Sequence, residues 1–198
     1  MTQLPKRDRE MWNPTQSVEV TPEEYEKQVL RWLGQLAGGA RIHEISHLKT
    51  AHGVGGDYTL DGYVELEIFG GAKIAILIEC KRHRRPVERE TVLGVHARLQ
   101  DVAANKAMIF STAGFQKGAV DYATGKGIAL VTFIDGRATY ETKGVSVPDD
   151  HSYPPSLPRF AGQLVSNFGS VTRIQTVIDG SCDALSSWLI MPADEVGN

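Results

Sequence analysis

The sequence predicts an α/β domain, a mixed β-sheet flanked by helices on both faces, in the order α-β-β-β-α-β-α-β. Three observations carry that expectation. Apolar residues recur at helical spacing within residues 25–36, 92–102 and 115–123. Two alternating runs, DGYVELEIF and KIAILIECK, flank Gly70-Gly71 as the arms of a β-hairpin would. Two short apolar runs, KAMIFST and Ile128 to Phe133, then alternate with helices as buried central strands do.

Taken in order, residues 1–20 are polar and aperiodic and read as an N-terminal arm. Thr21-Pro22-Glu23-Glu24 opens the first helix: threonine caps, proline suits the first helical position, and acids favour the positive end. Tyr25, Val29, Trp32, Leu33 and Leu36 form its apolar face, and Gly38-Gly39 stops it. Residues 41–50 alternate weakly and predict a strand; Gly53 to Gly56 predicts a flexible loop. The hairpin follows. Pro86 precedes a helix over 87–104, and Gly125 to Gly127 ends the next one. Asp135-Gly136 reads as a turn and ATYET as an edge strand. VPDDHSYPPSLP is proline-dense and reads as a linker, while residues 159–193 carry mixed signals. Three segments result: an arm (1–20), a main domain (21–145), and a linker with a C-terminal extension of unassigned role (146–198).

Composition narrows the function. A chain of 198 residues with 41% apolar and 23% charged residues suits one soluble domain with a proper core. Net charge is −3, which argues against a protein that coats nucleic acid indiscriminately. A polyanion site must be a local patch, and Lys81 to Arg85 is the dense cationic run that would supply it. Cys80 and Cys182 give neither a disulfide framework nor zinc spacing. No apolar run approaches 18 residues, so the expectation is a cytosolic protein with reduced thiols and no membrane partner. His43 and His47 are four apart in a segment that does not read as a helix, with no third ligand nearby, which argues against zinc. Ser111 lacks the glycine elbow of a serine hydrolase.

The chemistry concentrates in ILIECKRHRRP, residues 76–86. An apolar strand runs into Glu79 and Lys81, and Arg82, His83, Arg84 and Arg85 follow. A three-residue loop of Gly70, Gly71 and Ala72 would pair Ile68 with Ile74, Leu66 with Ile76 and Val64 with Ile78, so the apolar faces coincide. That register puts Asp61 opposite Lys81 with Glu79 one diagonal away, roughly 7–8 Å at Cα. Asp61, Glu79 and Lys81 then share one face at one end of the sheet. Two carboxylates suit Mg²⁺, with Mn²⁺ as substitute, and leave coordination positions for water and phosphate oxygens. Asp61 is preferred to Asp57 by parity. Cys80 alternates with both charged neighbours and belongs in the apolar layer. Arg82, His83, Arg84 and Arg85 are candidate phosphate contacts. His96 and Gln100 lie on the following helix, where surface positions are expected.

Asp61 followed by Glu79-Cys80-Lys81 resembles the core motif of the restriction-endonuclease-like nuclease superfamily. The wider pattern resembles the Mrr-type restriction endonuclease catalytic domain: Tyr25-Glu26 on a helix before the hairpin, MIFSTAGF after it, Ala119 with Tyr122-Ala123, and a closing Gly127-Ile128-Ala129-Leu130. The likeness spans residues 21–135. It implies a restriction-endonuclease-like fold and Mg²⁺-dependent hydrolysis of DNA phosphodiesters. Asp61 and Glu79 would be metal ligands, Lys81 the catalytic lysine, and Glu26 a candidate additional ligand. Unlike full-length Mrr-type enzymes, this sequence shows no helix-turn-helix pattern, so nothing in it names a target.

The functional expectation is an endonuclease acting in restriction of foreign or modified DNA. A repair or recombination nuclease on the same core would instead prefer branched DNA and form a symmetric homodimer. A non-catalytic DNA- or partner-binding module would bind with salt sensitivity and not cleave.

Overall fold

A computed structural model describes residues 21–36, 41–68, 70–135, 160–168, 171–177 and 188–189. The arm, the ATYET segment and the proline-dense linker lie outside them. Helix α1 (Pro22–Leu36) leads into strands β1 (Arg41–Gly53), β2 (Gly56–Ile68) and β3 (Ala72–Lys81). Helix α2 (Arg89–Asp101), β4 (Lys106–Ser111), α3 (Lys117–Thr124) and β5 (Ala129–Asp135) complete the predicted order. Two further strands, β6 (Phe160–Phe168) and β7 (Val171–Val177), come from the segment of mixed signals.

The seven strands form one sheet in chain order. Its centre, β3-β4-β5, is parallel, because helices join those strands; both flanks are antiparallel. Parallel strands bring their C-terminal ends to one edge, where open α/β sheets place ligand sites. Helix α1 starts on the expected cap. The Thr21 hydroxyl accepts from the Glu24 amide at 3.2 Å, and the Glu24 carboxylate accepts from the Thr21 amide at 2.9 Å, a capping box. The predicted start of α2 at Val87 moves to Arg89, because Val87 instead bridges to Phe115 beside β4.

Each face of the sheet has its own core. Under α1 it is aromatic: Tyr25, Trp32, Phe110 and Phe133 meet edge to face, ring centroids 5.6 to 6.2 Å apart. Under α2 and α3 it is aliphatic, built on Leu77, Val92, Val95, Ile109 and Leu130. Each fully buried side chain of this size contributes roughly 1.5–3 kcal/mol. Two glycines let α1 approach the sheet. A Cβ on Gly62 would lie 2.7 Å from Leu30, and one on Gly162 would lie 2.6 Å from Trp32. Strand β6 therefore packs under the same helix as the strands that precede it.

The hairpin register differs from the predicted one. Ile68 pairs with Ala72, Leu66 with Ile74 and Val64 with Ile76, two residues from the expected partners. The connection falls between Ile68 and Ala72, so Ala72 belongs to the strand and not to the loop. A slip of two keeps every side chain on its face, so the apolar match survives. The partner changes: continuing the register, Asp61 comes opposite Glu79, not Lys81. The predicted loop at Gly53 to Gly56 is a tight turn, since β1 and β2 pair from Arg41↔Glu67 to Gly53↔Gly56 as one long hairpin.

Candidate active site

The β2–β3 ladder ends at Gly62↔Ile78, one residue short of Asp61. On the other side, β2 pairs with β1 at Gly62↔His47 and Leu60↔Lys49 but skips Asp61 and Leu48. Leu48 has φ of +52°, a left-handed conformation unfavourable for a bulky L-residue. Strand β2 changes face beside it. Val64 and Leu66 face the aromatic core, whereas Leu60 faces the aliphatic one. Asp61 sits at the crossover, where β2 leaves β3. Its Oδ2 accepts the Cys80 amide at 2.8 Å, in place of the ladder bond that would have been there.

Glu79 projects from β3 toward α2 and is only 4% exposed. One of its oxygens pairs with Lys81. The other, Oε2, lies 2.7 Å from Arg98 Nη2 on α2, yet it has no well-aligned hydrogen bond. Cys80 faces the aromatic core as its parity predicts, and burial holds its thiol well above its usual range. Burial also raises the Asp61 carboxyl, and the charges of Glu79 and Glu26 raise it further against the Cys80 amide and Lys81.

Glu26 comes from α1, on the far side of Asp61 from α2. Its Oε2 accepts from His47 Nε2 at 2.7 Å, so it reaches the neighbourhood with a partner of its own. His43, by contrast, lies against Glu65 at 3.6 Å. The two histidines extend from a strand to separate partners. Asp57 sits at the exposed hairpin tip against His52. His96 contacts Tyr122 at 3.1 Å, away from the carboxylates, and Gln100 is exposed.

The cationic loop follows at the strand end. His83, Arg84 and Arg85 are exposed and Arg82 is half-buried. The STAGF stretch braces this loop. The Thr112 amide donates to the Lys81 carbonyl, the Thr112 hydroxyl donates to the His83 carbonyl, and the Val87 amide donates to the Gly114 carbonyl. Gly114, at φ +74°, supplies the turn that makes this possible. The backbone of the loop is thus fixed while the side chains of His83, Arg84 and Arg85 lie exposed.

A hard divalent cation fits this donor set. Asp61 and Glu79 offer carboxylate oxygens, and Glu79 Oε2 is a buried acceptor without an aligned donor. Among the described residues no three His, Cys, Asp or Glu side chains converge. Two carboxylates would hold the ion, leaving its remaining positions to water and substrate oxygens, a pattern that suits Mg²⁺. Sequence reasoning missed Arg98, and weighed His47 only as a zinc ligand. Arg98 was visible only as a basic residue in the last turn of a helix, which the helix dipole alone explains.

A family model for the Mrr catalytic domain, described as restriction endonuclease, matches residues 19–138. A solved structure described as a protein of unknown function, AF1548, is similar at 25% identity, covering 56% of this chain and 57% of that one, with a TM-score of 0.46. The chain spans little more than half the length of that protein. No curated protein matches.

Proposed function

The chain belongs to the Mrr-type restriction endonuclease catalytic family, a group of nucleases, and from that premise we propose that it is a Mg²⁺-dependent endonuclease that hydrolyses DNA phosphodiesters. Restriction of foreign or modified DNA is the proposed setting. The observation that carries the reading is the meeting of Asp61, held on the Cys80 amide, with the buried Glu79–Lys81 pair beside the cationic loop.

In this reading Asp61 and Glu79 hold the cation. When bound, the ion supplies Lewis acidity: it acidifies the attacking water and offsets charge building on the phosphate. Lys81, kept in place by Glu79, orients that water and stabilises the developing negative charge. Arg82, His83, Arg84 and Arg85 position the DNA backbone without reading its sequence. In-line attack by water on phosphorus with departure of the 3′-oxygen, which takes up a proton from solvent, would leave 5′-phosphate and 3′-hydroxyl ends. Glu26, already paired with His47, is a reserve ligand. The nuclease unit is proposed to span residues 21–145, with β6 and β7 from the extension continuing its sheet.

The test is cleavage of supercoiled plasmid, methylated and unmethylated, with Mg²⁺, Mn²⁺ or EDTA. Asp61→Asn and Lys81→Ala run alongside, with folding checked by circular dichroism. Metal-dependent nicking lost in both variants supports the reading. Folded wild-type protein that cleaves neither plasmid nor a four-way junction overturns it. Preference for the junction would move the setting to recombination, with a two-fold dimer expected.

A further inference from the structure

Four charged side chains make up the centre of the site. Asp61 and Glu79 carry two negative charges; Lys81 and Arg98 carry two positive ones. Both cations sit on the same carboxylate, one on each oxygen of Glu79. Lys81 is in the strand motif. Arg98 arrives from another element, 19 positions after Glu79, and its side chain is only 24% exposed. On the α1 side the Glu26 carboxylate adds a further charge, with His47 against it.

Arg98 is held where it stands. It lies in the last turn of α2, and Asp101 at the end of the same turn accepts the Gly55 amide with both carboxylate oxygens, at 3.0 and 3.1 Å. The long hairpin and the helix are thereby joined one turn from the guanidinium. Yet the Arg98–Glu79 contact is close without hydrogen-bond alignment, so Oε2 keeps a free acceptor direction. A cation that takes up this oxygen must settle beside a fixed positive charge.

We propose that Arg98 is a positioning residue that keeps the Glu79 carboxylate in place and weakens divalent-cation binding there, so that the ion binds firmly only once a DNA phosphate adds negative charge. The proposal rests on the reading of Asp61 and Glu79 as the cation's ligands. A neutral partner that orients a metal ligand raises metal affinity. A full positive charge that orients one opposes the metal by repulsion. With Arg98 in place the four central charges cancel, and the added cation leaves a surplus of two, the charge a phosphate diester under attack by hydroxide would balance.

The experiment measures Mn²⁺ binding to the full chain without DNA, by electron paramagnetic resonance of the free ion. Wild type, Asp61→Asn, Arg98→Met and Arg98→Lys are compared, and cleavage is then titrated with Mn²⁺. Arg98→Met is expected to bind Mn²⁺ about tenfold more tightly and to reach half-maximal cleavage at lower Mn²⁺. Its kcat at saturating metal should fall about 10–100-fold, because Glu79 is no longer held. Arg98→Lys keeps the charge and should keep the weak metal binding. Merely structural damage would weaken binding and activity together and would not move them in opposite directions. If Arg98→Met does not fold, Arg98→Gln carries the same expectation. Unchanged or weaker Mn²⁺ binding in the neutral variant overturns the proposal alone, provided wild-type binding is lost in Asp61→Asn. Mn²⁺ binding by neither wild type nor Arg98→Met, or binding indifferent to Asp61→Asn, overturns the site reading and the Arg98 proposal with it.

Discussion

Two carboxylate–lysine clusters lie on the β1–β2–β3 ladder, and they behave oppositely. Away from the strand end, Glu65 pairs with Lys73 at 2.7 Å, and Glu44 pairs with Lys49, which also lies 3.8 Å over the Tyr63 ring. There the lysines hold both glutamates below the usual carboxylate range. At the C-terminal end of β3, Glu79 has two cations, and its neighbour Asp61 is nevertheless raised by burial. The pairs have similar chemistry; the surroundings differ. Lys73 is half exposed, so water screens the pair and it adds little. Glu79 lies under α2, where removing a partner leaves an uncompensated buried charge. A Lys–Glu contact on a ladder therefore says little about function until its burial is known.

The largest expected effect separates the clusters by activity. Lys81→Ala should lower cleavage by about 10²–10⁴-fold, while Lys73→Ala leaves it within a factor of two in the same plasmid assay. Comparable losses in both would erase the distinction. Next comes the frame that both share. Trp32→Ala removes an aromatic that touches Phe110 and Phe133 and lies against Gly162, and should cost about 3–5 kcal/mol in urea unfolding. A cost under about 1 kcal/mol would mean that the aromatic layer does not anchor α1.

A smaller effect has a definite sign. Asp61 has a folded pKa above its ordinary 3.8, so the folded protein binds that proton more tightly than the unfolded chain does. Stability from this group therefore falls as pH rises from 3.8 through the raised value, and the ionised carboxylate is a net cost at neutral pH. Asp61→Asn keeps an acceptor for the Cys80 amide and removes the charge. Calorimetry should show its Tm a few degrees above wild type at pH 7, with the gap closing as pH falls toward 4. A gap that grows toward acid would reverse the sign. Such a gain in stability with loss of activity is the mark of a site held at a cost. The smallest effect is on the exposed cluster: Lys73→Ala should move Tm by less than about 2 °C, and a larger shift would mean that this pair is not merely a solvated one.

Much of the architecture follows from local pattern. Thr21 with Glu24 marks the start of α1, the 3.6-residue spacing of Val92, Val95 and Leu99 marks α2, and the doubly apolar run of β3 marks a central strand. The shared face of Glu79 and Lys81 was readable too, because the period-two geometry of a strand puts alternate residues on one side; the place of Asp61 was not, since β2 changes face there. The long hairpin β1–β2 was only half readable, since residues 41–53 are partly exposed on both faces and carry little alternation. Strands β6 and β7 were not readable as such. Their place in the sheet depends on pairing with β5 and, at Gly162, on the shape of Trp32.

What the sequence determined by itself, then, was which residues form helices and strands and which faces they present. These properties arise from neighbours within a few positions. Tertiary structure decided the Ile68–Ala72 pairing, the change of face in β2 at Asp61 beside the left-handed Leu48, and the arrival of Arg98 and His47 beside the carboxylates. Those depend on which distant surfaces pack together. Contacts closed over long loops leave no periodic trace in the chain, so no local pattern could have announced them.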